Sequence, residues 1–121
     1  MKILLADDEL RLRKVVVLHL KKFGFDVIEA NNGKQAIDLA MTSKPDLIVL
    51  DIMMPEMDGI SACKKLRELS EFKNTPIIML TAKATPDDIK AGKDAGANEY
   101  LTKPFSPKEL VDKIQGIKNN A

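Results

Sequence analysis

Five short apolar runs, KILLA, DVIEA, DLIVL, PIIML and EYLT, punctuate the 121-residue chain, and each is followed by a segment of helical periodicity. Strands made of consecutive Ile, Leu and Val offer water no polar face, so both of their faces must be covered. Strands that alternate with helices meet that demand as a parallel sheet between two layers of helices. Right-handed crossovers then restrict the chain to a doubly wound α/β fold of five strands and five helices.

The helical segments carry their own boundaries. In the first, Leu12, Val16, Leu20 and Phe23 recur at steps of three or four and form an inward stripe, and Gly24 follows where a C-terminal cap glycine belongs. The second starts at Asn32-Gly33 and stops before Pro45, and the third runs from about Asp58 with Ile60, Cys63, Leu66 and Leu69 on one face. The fourth opens with Thr85-Pro86-Asp87-Asp88 and the fifth with Ser106-Pro107-Lys108-Glu109. Each reads as an N-cap, a proline at the first helical position and an acid at the third. The fifth helix is expected to run out at Ile117, leaving Asn119, Asn120 and Ala121 as a frayed end. All connections are short, so residues 1–121 read as one domain.

Charge and composition remove several classes of function. With 19 basic and 18 acidic residues the net charge is +1, so no basic excess argues for direct nucleic-acid binding. The single cysteine, Cys63, excludes an internal disulfide and fits a reducing cytoplasm. The apolar run in MKILLADDE is too short for a signal peptide, and no run approaches the roughly 20 residues of a membrane helix. A cytoplasmic protein without membrane association is expected.

The third run, LIVLDIMMPEMDG, ends on a carboxylate, Asp51, where an apolar strand makes charge costly. In open α/β sheets, ligands bind beyond the carboxyl ends of the strands, where the winding reverses. The first strand ends in Ala6-Asp7-Asp8-Glu9, the fourth in Leu80-Thr81-Ala82 and the fifth in Thr102-Lys103-Pro104. With strand order 2-1-3-4-5, strands one and three are neighbours and Asp7, Asp8 and Asp51 share one crevice. Three adjacent carboxylates repel. A hard dication on oxygen ligands relieves that repulsion, and Mg²⁺ suits such a site. Lys103 adds one positive charge, so metal and lysine together roughly balance the three acids. A carboxylate held this way can attack a phosphoryl group, with Thr81 offering a hydroxyl to the phosphoryl oxygens.

Assembled in order, the segments ADDE at Ala6 to Glu9, LDIMMPEMDG at Leu50 to Gly59, LTAK at Leu80 to Lys83 and YLTKPF at Tyr100 to Phe105 resemble the receiver domain of bacterial two-component response regulators over the whole chain. The resemblance implies a flavodoxin-like fold of order 2-1-3-4-5. It implies that Asp51 accepts a phosphoryl group from a histidine kinase or phosphotransfer protein. Asp8 would bind Mg²⁺ directly and Asp7 mainly through water, with the Met53 carbonyl as a further ligand. Lys103, ahead of a cis bond to Pro104, would pair with the phosphoryl oxygens. Thr81 and Tyr100 would form the switching pair, and helix four, strand five and helix five the responding surface, through which a phosphorylation-dependent homodimer can form. Helix four, with Ile89, Ala91, Gly92, Ala95 and Gly96 as a thin apolar face, would be the most weakly held. Met53 and Lys83 would flank the site and influence water access.

Other readings fit less of the chain. A Mg²⁺-dependent phosphatase with an aspartyl nucleophile, resembling the haloacid dehalogenases, would carry a second Asp two positions after the first, where this chain has Met53. A nucleotide or flavin site would need a glycine-rich phosphate loop after strand one, where three acids stand instead. His19 reads as boundary packing, Cys63 as core, Met53, Met54 and Met57 as loop packing, and Lys64, Lys65 and Arg67 as a solvated helix face. The segments GANEY and KPFSPKEL resemble receivers attached to winged-helix DNA-binding domains, though stand-alone members share them.

Overall fold

All five apolar runs form strands in the computed structural model, which describes residues 1–82 and 85–119. They are β1 (Lys2–Ala6), β2 (Asp26–Ala30), β3 (Leu47–Asp51), β4 (Ile77–Thr81) and β5 (Glu99–Thr102). Between and after them lie α1 (Leu10–Lys22), α2 (Gly33–Ser43), α3 (Gly59–Glu68), α4 (Pro86–Ala95) and α5 (Pro107–Asn119), with a short 3₁₀ turn at Ser70–Phe72. The sheet is parallel throughout, in the order β2-β1-β3-β4-β5. This is the flavodoxin-like doubly wound arrangement.

Strand composition explains the layering. Every residue of β3 and β4 is buried, and alternate residues feed two separate cores. On one face Ile3, Leu5, Val49 and Ile78 pack with Val16 and Leu20 of α1 and Leu110 and Ile114 of α5. On the other, Leu4, Ile48, Leu50 and Met79 pack with Ala36 and Ala40 of α2, Cys63 and Leu66 of α3 and Ala95 of α4. Helix starts follow their caps. Asn32 accepts from the Gln35 N–H at 2.7 Å and Asp58 from the Ser61 N–H at 2.7 Å. Ser106 and Glu109 exchange reciprocal side-chain-to-backbone bonds, both 3.2 Å. At Thr85 the hydroxyl oxygen accepts from the Asp88 N–H and itself donates to the Asp88 carboxylate.

Besides Met53, which is 72% exposed while Met54 and Met57 pack as expected, four details differ from the sequence expectation. Phe23 is 53% exposed and lies outside the core. Helix α1 ends at Lys22 and the chain turns at Gly24 (φ 87°), so Phe23 sits past the last helical turn and Phe25 fills the core instead. Helix α5 continues to Asn119 rather than running out at Ile117. The inner face of α4 is thinner still than expected: only Gly92 and Ala95 are buried, Ala91 is exposed, and Gly96 lies beyond the helix as its left-handed cap.

Arg67 is the fourth, for it does not join Lys64 and Lys65 on the solvated face of α3. Its guanidinium turns inward, donating to the carbonyls of Gly96 (2.8 and 3.0 Å), Phe72 (2.7 Å) and Thr75 (2.6 Å) and to the Asn98 side chain (2.8 Å). Burial lowers its pKa, yet the carbonyl dipoles satisfy the cation. Lys83 and residues 120–121 of the anticipated frayed end fall outside the described residues. As expected, Cys63 is buried and His19 lies half-buried at the edge of α1, its Nδ1 3.0 Å from the Val15 carbonyl.

Candidate functional site

A parallel sheet delivers the carboxyl ends of all its strands to one edge, and the strand order decides which ends meet. Because β1 and β3 are neighbours, Asp7 and Asp51 come side by side. Asp7 continues β1 by one residue, its N–H donating to the Ala30 carbonyl at 3.1 Å. Its Oδ1 accepts the Glu9 N–H at 2.9 Å. Asp51 is the last residue of β3, and its Oδ1 accepts the Met53 N–H at 3.1 Å. Asp8 projects at the rim, exposed to water. Each of the three carboxylates offers an oxygen within 4.8 Å of the others.

Lys103 reaches this cluster from the far side of the sheet. It directly follows β5, is tied by its N–H to the Thr81 carbonyl at 2.7 Å, and precedes a cis peptide bond to Pro104. The ammonium lies 2.6 Å from Asp51 Oδ2 and 3.6 Å from Asp7 Oδ2. Burial lowers the lysine's pKa, but the hydrogen bond and charge of Asp51, helped by Asp7, outweigh it and hold Lys103 above the usual lysine range. One ammonium does not neutralise the cluster. Burial, reinforced by the charge of Asp51, pushes the Asp7 carboxyl up to about 6 even against the Glu9 N–H and the Lys103 charge. Three converging carboxylates with excess negative charge and oxygen-only donors fit a hard divalent cation.

Thr81 is buried at the end of β4, the next strand over from Asp51. Tyr100 is not in the acidic cluster. It lies on β5 opposite Met79, and its hydroxyl donates to the Asp88 carbonyl in the first turn of α4 at 3.2 Å. Burial raises the phenol's pKa. Among the sequence candidates, Asp7, Asp8, Asp51 and Lys103 therefore converge, Met53 meets Asp51 through its N–H, and Thr81 and Tyr100 flank them on adjacent strands. A cleft of about 410 Å³ lined by Glu9, Leu12, Ala82, Lys103, Pro104 and Phe105 opens beside the lysine.

Sequence reasoning missed one support. Arg13 of α1 donates to the backbone carbonyl of Asp7 at 2.6 Å and pairs with Glu29 of β2 at 3.0 Å. Burial opposes the Glu29 charge, but Arg13 and Lys14 together hold its carboxyl below the usual range. A glutamate interrupting the apolar residues of DVIEA was the available signal.

The fold that holds these residues recurs in known proteins. The family model for the response regulator receiver domain matches residues 3–115. The transcriptional regulatory protein SrrA of Staphylococcus aureus is 45% identical over 115 residues, which is 95% of this chain and 46% of SrrA. The chain thus spans about half the length of the curated relatives it matches. Chemotaxis response regulator CheY4 of Vibrio cholerae superposes with a TM-score of 0.92 at 36% identity, covering 96% of this chain and 97% of CheY4. The receiver domain of the sensor histidine kinase PA1611 of Pseudomonas aeruginosa, solved with a magnesium ion coordinated in the active site cleft, gives 0.87 at 35% identity, covering 94% and 93%.

Proposed function

The chain belongs to the response regulator receiver family, and on that premise we propose that it is a phosphorylation-activated switch whose acceptor is Asp51. Receivers of two-component systems interact with histidine kinases or phosphotransfer proteins. Here an Asp51 carboxylate oxygen would attack the phosphorus of the donor phosphohistidine. An O–P bond forms as the P–N bond breaks, and the imidazole departs with the electron pair and takes up a proton. The observation that carries this reading is the placement of Asp51: a buried carboxylate at a strand end, 2.6 Å from an ammonium and beside two further acids.

Each residue has a physical task. Phosphoryl transfer needs positioning and charge neutralisation more than a general base. The Met53 N–H fixes one Asp51 oxygen and so aims the other. Lys103, now paired with that other oxygen, would follow the charge onto the phosphoryl oxygens. Thr81 would donate its hydroxyl to one of them. Asp7, Asp8, Asp51 and the Met53 carbonyl would hold Mg²⁺, which when bound supplies positive charge toward the transferred group. The presence of a magnesium ion in the PA1611 receiver supports this choice of metal.

Movement of Thr81 toward the phosphoryl group would free space for the Tyr100 ring and shift the α4–β5–α5 surface. One charge-assisted hydrogen bond contributes roughly 1.5–3 kcal/mol, sufficient for a ten- to hundredfold population change. We assign residues 1–121 to one receiver domain working in the cytoplasm, where phosphorylation promotes a homodimer through α4–β5–α5 and controls a downstream partner or output domain. Among the described residues no helix is long and apolar enough to cross a membrane.

Amide spectra test the switch. Mg²⁺ with beryllofluoride or acetyl phosphate should move resonances around Asp51, Thr81 and Tyr100. The changes should vanish in Asp51→Asn and without metal. A wild-type spectrum indifferent to both additions refutes the reading.

A further inference from the structure

Tyr100 is the only tyrosine of a chain that lacks tryptophan, and its ring occupies one defined seat. The hydroxyl is anchored on the Asp88 carbonyl, while the ring packs against the core shared by β4, α3 and α4. Gly92, one helical turn beyond Asp88, is buried and closes that seat. A Cβ built on Gly92 would coincide with the Tyr100 hydroxyl and stand 3.0 Å from ring carbon Cε2. A phenol ring cannot bend away; it yields only by swinging as a whole about its side-chain torsions. Gly92 lies within α4, where alanine would be the better helix former. Space for the ring, rather than backbone conformation, is what calls for glycine here.

The seated ring coexists with a direct pair between Lys103 and Asp51 at 2.6 Å, which leaves no room for a phosphoryl group between them. The seated ring and the closed Lys103–Asp51 pair thus occur together in one arrangement of the molecule. We propose that Gly92 is a positioning residue of the switch: by lacking a side chain it provides the seat that retains Tyr100 against α4 while Asp51 is unmodified, so any side chain there expels the ring and biases the α4–β5–α5 face toward its phosphorylated arrangement. This rests on the reading of Asp51 as acceptor and Tyr100 as switching ring. It adds the residue that sets the resting population.

Tyrosine emission and its quenching by acrylamide report Tyr100 alone, and amide shifts report the face. Both are to be compared in wild type and Gly92→Ala, each with and without Mg²⁺ and beryllofluoride. Gly92→Ala without beryllofluoride should show the quenching and the α4, β5 and α5 shifts that wild type reaches only with it. Wild-type quenching and shifts in the variant overturn the proposal, as does a displaced ring with the face unmoved.

A second pair of variants covers the possibility of misfolding. Gly92→Ala should lower Tm when Tyr100 is present and raise it in the Tyr100→Leu background, where alanine's helix propensity acts unopposed. The same sign in both backgrounds overturns the seat. If wild type ignores beryllofluoride, the switch reading fails on its own, while the paired Tm changes still judge the steric relation of Gly92 and Tyr100.

Discussion

Replacing Asp7 by asparagine removes one charge from the crowded strand ends, and the structure sets the size and pH dependence of the effect. Asp7 is almost fully buried, and burial, with Asp51 beside it, pushes its carboxyl from 3.8 to about 6. That rise corresponds to about 3 kcal/mol against the ionised form at neutral pH. Asparagine retains an oxygen for the Glu9 N–H bond, and Lys103 keeps its pair with Asp51. Allowing for imperfect substitution, Asp7→Asn should stabilise the metal-free fold by about 2 kcal/mol at pH 7, roughly 8 °C in Tm.

The sign follows from proton linkage. Between pH 4 and 6 the native state keeps a proton that the unfolded chain has released, so wild-type stability falls as pH rises through this window. Asparagine has no such proton. The variant's advantage should be near zero at pH 4 and complete above pH 6. Mg²⁺ held by the proposed acidic site would raise wild-type stability by mass action, and the variant, short of one proposed ligand, should gain less. Urea unfolding at several pH values, with and without Mg²⁺, measures all three effects. Equal stabilisation at pH 4 and pH 7, or loss of stability at pH 7 without metal, would refute the charge-repulsion argument.

Two further outcomes concern the scaffold. Arg67→Met keeps the aliphatic stem but strands the carbonyls of Gly96, Phe72 and Thr75, so a loss of about 3 kcal/mol is expected, with faster amide exchange near Asn98 as the local check. Ser106→Ala removes the N-cap of α5 and should cost about 1 kcal/mol in urea unfolding with no change in the Asp51 amide shift, since the cap lies on the helix and not on the acids.

The convergence of Asp7, Asp8, Asp51 and Lys103 was legible because all four stand at or just beyond strand ends. An acid closing an apolar run, as in LIVLD, needs compensation wherever it lies, and strand order determines which other ends can provide it. Capping signals were equally local, and Asn32, Asp58, Thr85 and Ser106 all begin helices as their side chains suggest. What escaped depends on where a helix stops and turns. Phe23 fits the periodicity of α1 but lies one residue past its end. Arg67 sits in sequence near two solvated lysines, yet its direction is set by acceptors up to 31 residues away, the Asn98 side chain among them. Periodicity carries no record of such long-range acceptors. Nor does it show that Gly92 faces a phenol on a strand that follows it in the chain.

The distribution of burial also decides which helix can respond. In α3, Leu66 and Cys63 are fully buried, and burying one leucine contributes roughly 1.5–3 kcal/mol. In α4 only Gly92 and Ala95 are buried, and a single methyl contributes roughly 0.8 kcal/mol or less. The charge-assisted hydrogen bond that phosphorylation of Asp51 is proposed to add, roughly 1.5–3 kcal/mol, therefore matches one buried leucine of α3 but exceeds the apolar anchorage of α4. The two ends of α4 are not equally free. Its C-terminal cap, Gly96, is gripped by both Nε and Nη2 of Arg67, whereas its first turn is tied to β5 through the Tyr100 hydroxyl on Asp88. If the tyrosine leaves its seat as proposed, that first-turn tie is gone while the arginine clamp remains, so α4 should pivot about Gly96 and displace its N-terminal end.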